Sequence, residues 1–364
     1  MFYRRRESTK DETPQDNYPF HRLGGFLPIV LKSCQHLRHI SKCILAAHMS
    51  IKRPENRIIM SYGGEQSGPS LLVFAGLHGN EPAGIKALQL VHKMLEVEPI
   101  TNPSFDFKGE IIGLIGNRAA SEKNIRYIDE DLNRIWTEEK IAVIDNVSSS
   151  PLSSEETELK EILHYVRSYI KERRPKKLYI LDLHTTSSDG GIFVIPTGDK
   201  ESIKIASNLY SPVILGMMDG IQGTTLHYFK RSIFKDVETV SLTFEGGQHQ
   251  DPKSINRCIA AIVNCLRSIG CVCNKDVENI HDQILIEYSE SLPKVTRLIY
   301  KHHITRDDKF VMHSGFQNFD VITAGQELAT DKSGPVLSPF DGRILMPLYQ
   351  PQGEEGFYIV EVVD

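Results

Sequence analysis

Four short segments of this chain carry residue types that could hold and activate a small molecule. The first is His78-Gly79-Asn80-Glu81. It puts an imidazole and a carboxylate three residues apart, close enough to share one metal ion. Nitrogen and carboxylate donors of this kind suit zinc. Alone, such a pair is more often two surface residues or a helix cap. The second segment is RYIDEDLNR, residues 126–134. Arg126 and Arg134 present planar forks that pair bidentately with carboxylates. Asp131 can hold such a fork in place, and the cluster with Asn133 is a candidate anion site. A solvated loop is the plainer reading. The third is Asp182-Leu183-His184. Asp182 lies two residues before His184, on the same strand face, and can accept a hydrogen bond from a metal-bound imidazole. A backbone carbonyl could do the same. The fourth is Glu245-Gly246-Gly247, followed by His249. A carboxylate beside two glycines fits a catalytic base with room for substrate. A solvated Glu at a strand end is the alternative.

All four segments fall at or after strand ends. Leu71 to Ala75 reads as a buried strand running into the HGNE turn. Pro82 then opens a helix, at a position where Pro is tolerated. Arg57 to Tyr62 and the EIIGLIGN segment read as further strands, the latter ending at Asn117. Ser153 or Ser154 marks the start of an amphipathic helix through TELKEILHYVRSYIKER. Leu178 to Leu183 and Val240 to Phe244 are strands that deliver His184 and Glu245. GIFVIP reads as another strand, and IASNLYSPVILGM as a helix and a strand. DGIQGTTLHYFK is a Gly-containing loop that is either a pocket wall or a connector. INRCIAAIVNCLRSIG is an amphipathic helix stopped by Gly270. Helical periodicity then fades, and short strands between Gly, Pro and Asp turns take over. Ligands bind at the carboxyl ends of strands in such α/β sheets.

The bulk properties narrow the function. At 364 residues the chain has room for two domains. Its net charge of −5 argues against nucleic acid as a partner. No apolar run approaches the roughly 20 residues of a membrane span, so no membrane partner is expected. Cys34, Cys43, Cys258, Cys265, Cys271 and Cys273 form no C-x-x-C pair and read as reduced thiols of a cytoplasmic protein. The polar segment before residue 18 has no apolar stretch of a secretory signal after its basic residues. His302, His303 and His313 lack acidic or Cys partners at a ligand spacing.

HGNE at 78–81, RYIDEDLNR at 126–134, DLHTT at 182–186 and FEGGQH at 244–249, in that order, resemble the aspartoacylase and succinylglutamate desuccinylase family, a branch of the zinc carboxypeptidase superfamily. The resemblance covers roughly residues 55–270 and is looser beyond. It implies an α/β fold with a zinc-carboxypeptidase-like mixed sheet flanked by helices and a smaller C-terminal β-domain. Residues 1–52 would be a partly mobile extension, 53–274 the catalytic domain and 275–364 the β-rich domain. His78, Glu81 and His184 would ligate one Zn2+. Glu245 would be the general base and then acid. Arg126 would polarise the scissile carbonyl. Asn133 and Arg134, with Asn117 in support, would bind the substrate, and Asp182 and Asp131 would stand behind the ligands. The implied reaction is hydrolysis of an N-acyl amino acid, with an acetyl- or succinyl-type acyl group and a carboxylate. Two other readings stand beside it: a carboxypeptidase acting on short peptides, and a non-catalytic binder of small acidic ligands. A homo-oligomer is compatible with all three. Tyr349 and Tyr358 are candidates to reach the pocket from the C-terminal segment. SPFDGRILMP is a little like a lipoyl-type barrel segment but has no lysine at the turn, which points to a structural role.

Overall fold

Apolar residues run without interruption through the central strands because both faces of the sheet are covered. The computed structural model describes residues 57–146, 151–229, 234, 236–276 and 280–363. The expectations for residues 1–52, including Cys34 and Cys43, lie outside these. The strands of the first part are β1 (Ile58–Gly63), β2 (Ser70–Ala75), β3 (Glu110–Ile115), β4 (Lys177–Thr186), β5 (Phe193–Pro196), β6 (Val213–Leu215) and β7 (Glu238–Gln248). Strand β2 pairs in parallel with β3 and β4, and β4 pairs in parallel with β7. Strands β1 and β5 are antiparallel to β3 and β7. In the β4–β7 ladder His184 lies opposite Glu245. The strand register therefore sets one site residue beside another.

Three long helices cover the sheet: α1 (Pro82–Thr101), α2 (Ser154–Arg173) and α3 (Lys253–Ile269). Residues Leu71 and Val73 of β2 face α1 and α3, joining Leu88 and Ile262 in one core. Residues Leu72 and Phe74 face the other way and pack with Leu159, Ile162 and Val166 of α2. The alternation is the strand period of two. Helix α2 begins at a capping box between Ser153 and Glu156. Such a cap is worth about 1 kcal/mol. Each buried Leu or Ile contributes about 2–3 kcal/mol, so the packed face rather than the cap holds the helix. Helix α3 ends at Gly270, whose φ of 87° is the left-handed stop expected of it.

The remaining strands are β8 (Val295–His303), β9 (Val311–Met312), β10 (Val321–Ile322), β11 (Glu327–Asp331), β12 (Gly334–Leu337), β13 (Gly342–Leu345) and β14 (Glu355–Val362). Strand β8 joins β6, and β14, β13 and β10 follow, so one sheet runs in the order β1-β3-β2-β4-β7-β5-β6-β8-β14-β13-β10. Strands β9, β11 and β12 form a second, three-stranded sheet. Ile280–Ser289 is a helix in the stretch where helical periodicity fades. Of its residues only Leu285 is fully buried, and Ile280 and Ile286 are exposed. It is held by polar and aromatic contacts instead. The Arg257 guanidinium lies 3.4 Å from the centre of the Tyr288 ring, and Arg267 pairs with Asp282. No helix among the described residues is long and apolar enough to cross a membrane.

Candidate active site

The turn after β2 is shaped by close backbone approach. A Cβ on Gly79 would lie 2.1 Å from the Ala120 carbonyl carbon, so only glycine fits there. The Gly79 N–H donates to the Arg126 carbonyl at 3.1 Å, which ties the first segment to the second. His78 and Glu81 are thereby turned inward, and both are buried. His78 Nδ1 lies 2.8 Å from Glu81 Oε1. His184 Nδ1 lies 2.9 Å from Glu81 Oε2. The donor atoms of these three residues lie within 4.8 Å of one another, and they form the one such His/Cys/Asp/Glu cluster among the described residues.

Behind this cradle each imidazole turns its far nitrogen to a carboxylate. His78 Nε2 lies 3.0 Å from Asp131 Oδ1. His184 Nε2 lies 3.1 Å from Asp182 Oδ2. Asp182 is fully buried and also accepts from Thr225 Oγ1 at 2.6 Å. This is the outer support that metal-binding histidines generally have. Two nitrogens and one carboxylate, oriented in this way, fit a zinc ion with a position left for water. Burial works against ionisation of Glu81, but His78 and His184 outweigh it and hold its carboxyl well below the usual range. Burial likewise disfavours the charged form of His184, and Asp182 and Glu81 overcome it, so its pKa stands well above the ordinary value.

Arg126 is clamped by Asp131, with Nε and Nη2 donating to Oδ2 at 3.0 and 2.9 Å. Asp131 thus holds the arginine and orients His78 at once. Its carboxyl lies well below the usual range because Arg126 and His78 outweigh the cost of burial. Arg126 Nη1 lies 4.0 Å from Glu81 Oε1, which sets the guanidinium at the edge of the cradle. Glu245 faces the same space, and its Oε2 has no hydrogen-bond partner among the described residues. Burial, with Glu81 and Asp182 adding to it, pushes the Glu245 carboxyl up to about 8 against the pull of His184 and Arg126.

Arg134 also lines the cleft, but it is already engaged. Its Nη2 donates to Glu355 Oε2 at 2.8 Å and its Nε to Oε1 at 3.3 Å. Asn133 accepts from the Thr225 N–H at 3.1 Å, and its amide nitrogen lies 3.3 Å from His184 Nε2. Asn117, expected among the substrate-binding residues, lies outside the cleft lining. Its Oδ1 caps a short helix at the Ala120 N–H, and its Nδ2 donates to Glu155 at 2.9 Å. Glu155 in turn accepts from the N–H groups of Ile128 and Asp129. Asn117 therefore props the RYIDEDLNR loop from below, and a role in touching substrate is corrected to that of a support.

The cleft encloses about 840 Å3, including solvent at its mouth. Glu355, Gln350 and Tyr358 line it from the C-terminal segment. No spacing pattern marks Glu355 and Gln350, because their partners Arg134 and Asn80 are 221 and 270 residues away. Of the two tyrosine candidates, Tyr358 lines the cleft, whereas the Tyr349 hydroxyl is spent on the carbonyls of His313 and Phe316. The DGIQGTTLHYFK segment is a wall: its Ile221, Thr224 and Leu226 line the cleft, as does Met217 just before it. His302 stacks on Phe357, and His313 lies 3.5 Å from Glu327; neither belongs to a His/Cys/Asp/Glu cluster among the described residues.

The architecture and this donor set are those of an α/β fold with a candidate metal cradle at its strand ends, and comparison with known proteins identifies the family. The succinylglutamate desuccinylase/aspartoacylase catalytic domain matches residues 67–269, more than half of the chain. The chain belongs to that family. It is 32% identical over 135 residues to aspartoacylase of Xenopus tropicalis, a match that spans 36% of this chain and only 39% of that protein. It is 25% identical over 264 residues to an N-acyl-aromatic-L-amino acid amidohydrolase (carboxylate-forming) of the same organism, covering 69% of this chain and 77% of that one. Solved structures share the fold. A succinylglutamate desuccinylase/aspartoacylase of Rhodobacter sphaeroides matches with a TM-score of 0.56 at 16% identity, over 82% of this chain and 86% of that one. Murine aminoacylase 3 matches with a TM-score of 0.51 at 16% identity, over 82% and 96%.

Proposed function

We propose that this chain is a zinc-dependent amidohydrolase that cleaves the amide bond of an N-acyl amino acid. The substrate carries an acetyl- or succinyl-type acyl group and a carboxylate. The observation that carries this reading is the His78, Glu81 and His184 cradle with Glu245 in register beside it and Arg126 at its edge. The names of the related proteins support the same class.

When bound, zinc supplies a Lewis acid and brings the pKa of water towards 7. The chain's own residues do the rest. Glu245 takes a proton from the attacking water and returns it to the leaving nitrogen. Its Oε2, without a partner among the described residues, and its raised proton affinity suit that task. Arg126, fixed by Asp131, donates to the negative charge that develops on the carbonyl oxygen, an effect often worth about 3–4 kcal/mol per donor. Asn133 and Arg134 hold the carboxylate of the amino-acid half. Glu81 is the poorer base, since both of its oxygens are held by histidines. In this reading residues 53–274 are the catalytic unit, and 275–364 a β-rich unit that closes the cleft with Gln350, Glu355 and Tyr358. A cytoplasmic setting fits the four described cysteines, all of which are free.

The test is metal analysis of the purified chain with a screen of N-acetyl and N-succinyl amino acids for amine release. The expected result is about one zinc per chain and release that a chelator abolishes. No metal after zinc is added back would overturn the site and favour a non-catalytic binder. Release confined to the C-terminal residues of short peptides would favour a carboxypeptidase.

A further inference from the structure

The loop after Glu245 carries a titratable side chain that the proposed reaction does not use, His249. It stands where the ladder between β4 and β7 breaks step. His184 lies opposite Glu245, but Thr186 lies opposite Gln248, so β7 spends one residue more than β4 over this interval. The extra residue falls in the Gly246–Gly247 stretch, where Gly247 takes a φ of 104°, a conformation that favours glycine. A bulge of this kind re-aims the side chains beside it. His249 closes the bulge twice. Its N–H donates to the Thr186 carbonyl at 2.9 Å, and its Nδ1 lies 2.7 Å from Thr185 Oγ1. These partners are the two residues directly after His184. Thr185 is buried, and its own N–H donates to Glu81 Oε2 at 3.0 Å. The same oxygen faces His184 Nδ1 at 2.9 Å. A continuous chain of contacts therefore runs from His249 through Thr185 to the Glu81 carboxylate. His249 itself does not line the cleft.

Resting on the zinc reading above, we propose that His249 is a positioning residue of the metal cradle: it holds the Thr185 hydroxyl, and through it the Thr185 N–H that sets the Glu81 carboxylate. Glu81 Oε1 faces His78 and Oε2 faces His184, so a rotation of the carboxylate disturbs both histidines at once. The Thr185 N–H opposes that rotation from the strand that also carries His184. Its direction is set by the Thr185 peptide, which His249 grips by the neighbouring hydroxyl. The bulge thus joins the loop after the base to the carboxylate that would face the metal. Removing a group that supports a metal ligand typically lowers metal affinity by about 10–100-fold.

The test measures the zinc dissociation constant of the full chain by competition with a chromogenic chelator, which needs no turnover. His249→Leu and Thr185→Val should each weaken zinc binding by about tenfold or more. Both leave the main-chain bond to Thr186 in place, so they read the side-chain contact alone. His249→Asn keeps a hydrogen-bonding atom where Nδ1 stands, and Thr185→Ser keeps the hydroxyl; both should bind zinc as the parent does. The double variant His249→Leu/Thr185→Val should lose no more than the worse of the two single variants, because both cut the same link. If His249→Leu fails to fold, Thr185→Val against Thr185→Ser decides the same question. Zinc binding like the parent's in His249→Leu or Thr185→Val, or single losses that add in the double variant, would overturn the inference and leave the deacylase reading intact. The expected losses, in a parent chain that binds zinc but turns over no N-acyl amino acid, would support the inference while the deacylase reading fell. A parent chain that binds no zinc would overturn both.

Discussion

Arg126 and Arg134 face the same cleft and are restrained in opposite ways. The partner of Arg126 is Asp131, 5 residues along the same loop. The partner of Arg134 is Glu355, 221 residues away on the last strand. The first pair is complete when the loop folds. The second needs β14 to be in place. The same division runs through the whole cleft. The cradle and base stand at the ends of β2, β4 and β7, inside the most buried part of the sheet. The binding side is assembled from the segment after β6 and from the C-terminal strands. In the proposed reading Arg126 serves bond making and Arg134 serves substrate binding, so the two tasks share one loop but depend on different partners.

The sharpest break in that division is Glu245→Gln. Turnover should fall by about a thousandfold or more with zinc content unchanged in metal analysis; normal turnover would remove Glu245 as the base. Next is the contrast between the two arginines. Arg126→Ala should lower kcat by about 100-fold. Arg134→Ala should instead raise KM about tenfold or more, with a smaller effect on kcat. Steady-state kinetics of the pair decides the matter, and an unchanged KM in Arg134→Ala would sink the carboxylate anchor. A smaller effect is expected for Glu355→Gln, which keeps hydrogen-bonding atoms at the Arg134 fork and removes only the charge: KM shifts by less than about tenfold and kcat holds. A kcat loss equal to that of Arg126→Ala would abolish the division of labour.

The last prediction concerns stability in the metal-free chain. The Glu245 carboxyl is raised from 4.5 to about 8 on folding. Between those values the folded chain binds more protons than the unfolded one. The contribution is therefore fully present below pH 4.5 and is lost as the pH rises through about 8. With chelator present, the Tm of the parent chain relative to Glu245→Gln should fall across that window. A constant difference would mean that Glu245 does not carry the raised proton affinity.

Much of the catalytic side could be read directly from residues. Leu71–Ala75 and Leu178–Leu183 are strand-like runs, with His78 three residues after the first and His184 directly after the second. Asp182 was legible because a strand puts alternate residues on one face. The double task of Asp131, which holds Arg126 and turns His78, was legible only in half, since nothing in spacing pairs residue 131 with residue 78. Glu355 and Gln350 were invisible for the same reason at greater range. Asn117 was drawn into the binding set by its place after β3, but it faces the helix-capping interior. The Ile280–Ser289 helix was missed because its Ile-Leu-Ile run has strand-like composition and little of it is buried. The DGIQGTTLHYFK segment was readable as pocket wall or connector, and tertiary packing alone decided between them.

The pairing of His184 with Glu245 across the β4–β7 ladder has a further consequence. Slipping a strand by one residue turns each of its side chains to the other face. The spacing between His184 and Glu245 therefore cannot drift by small degrees; it is a discrete quantity, counted in rungs and guarded by the whole buried core. The wall formed by residues 217–226 and 346–358 has no such constraint. Mutation can reshape it one methyl group at a time while the reaction distance stays where the backbone put it. A sheet of this kind separates what is digital in the chain from what is analogue.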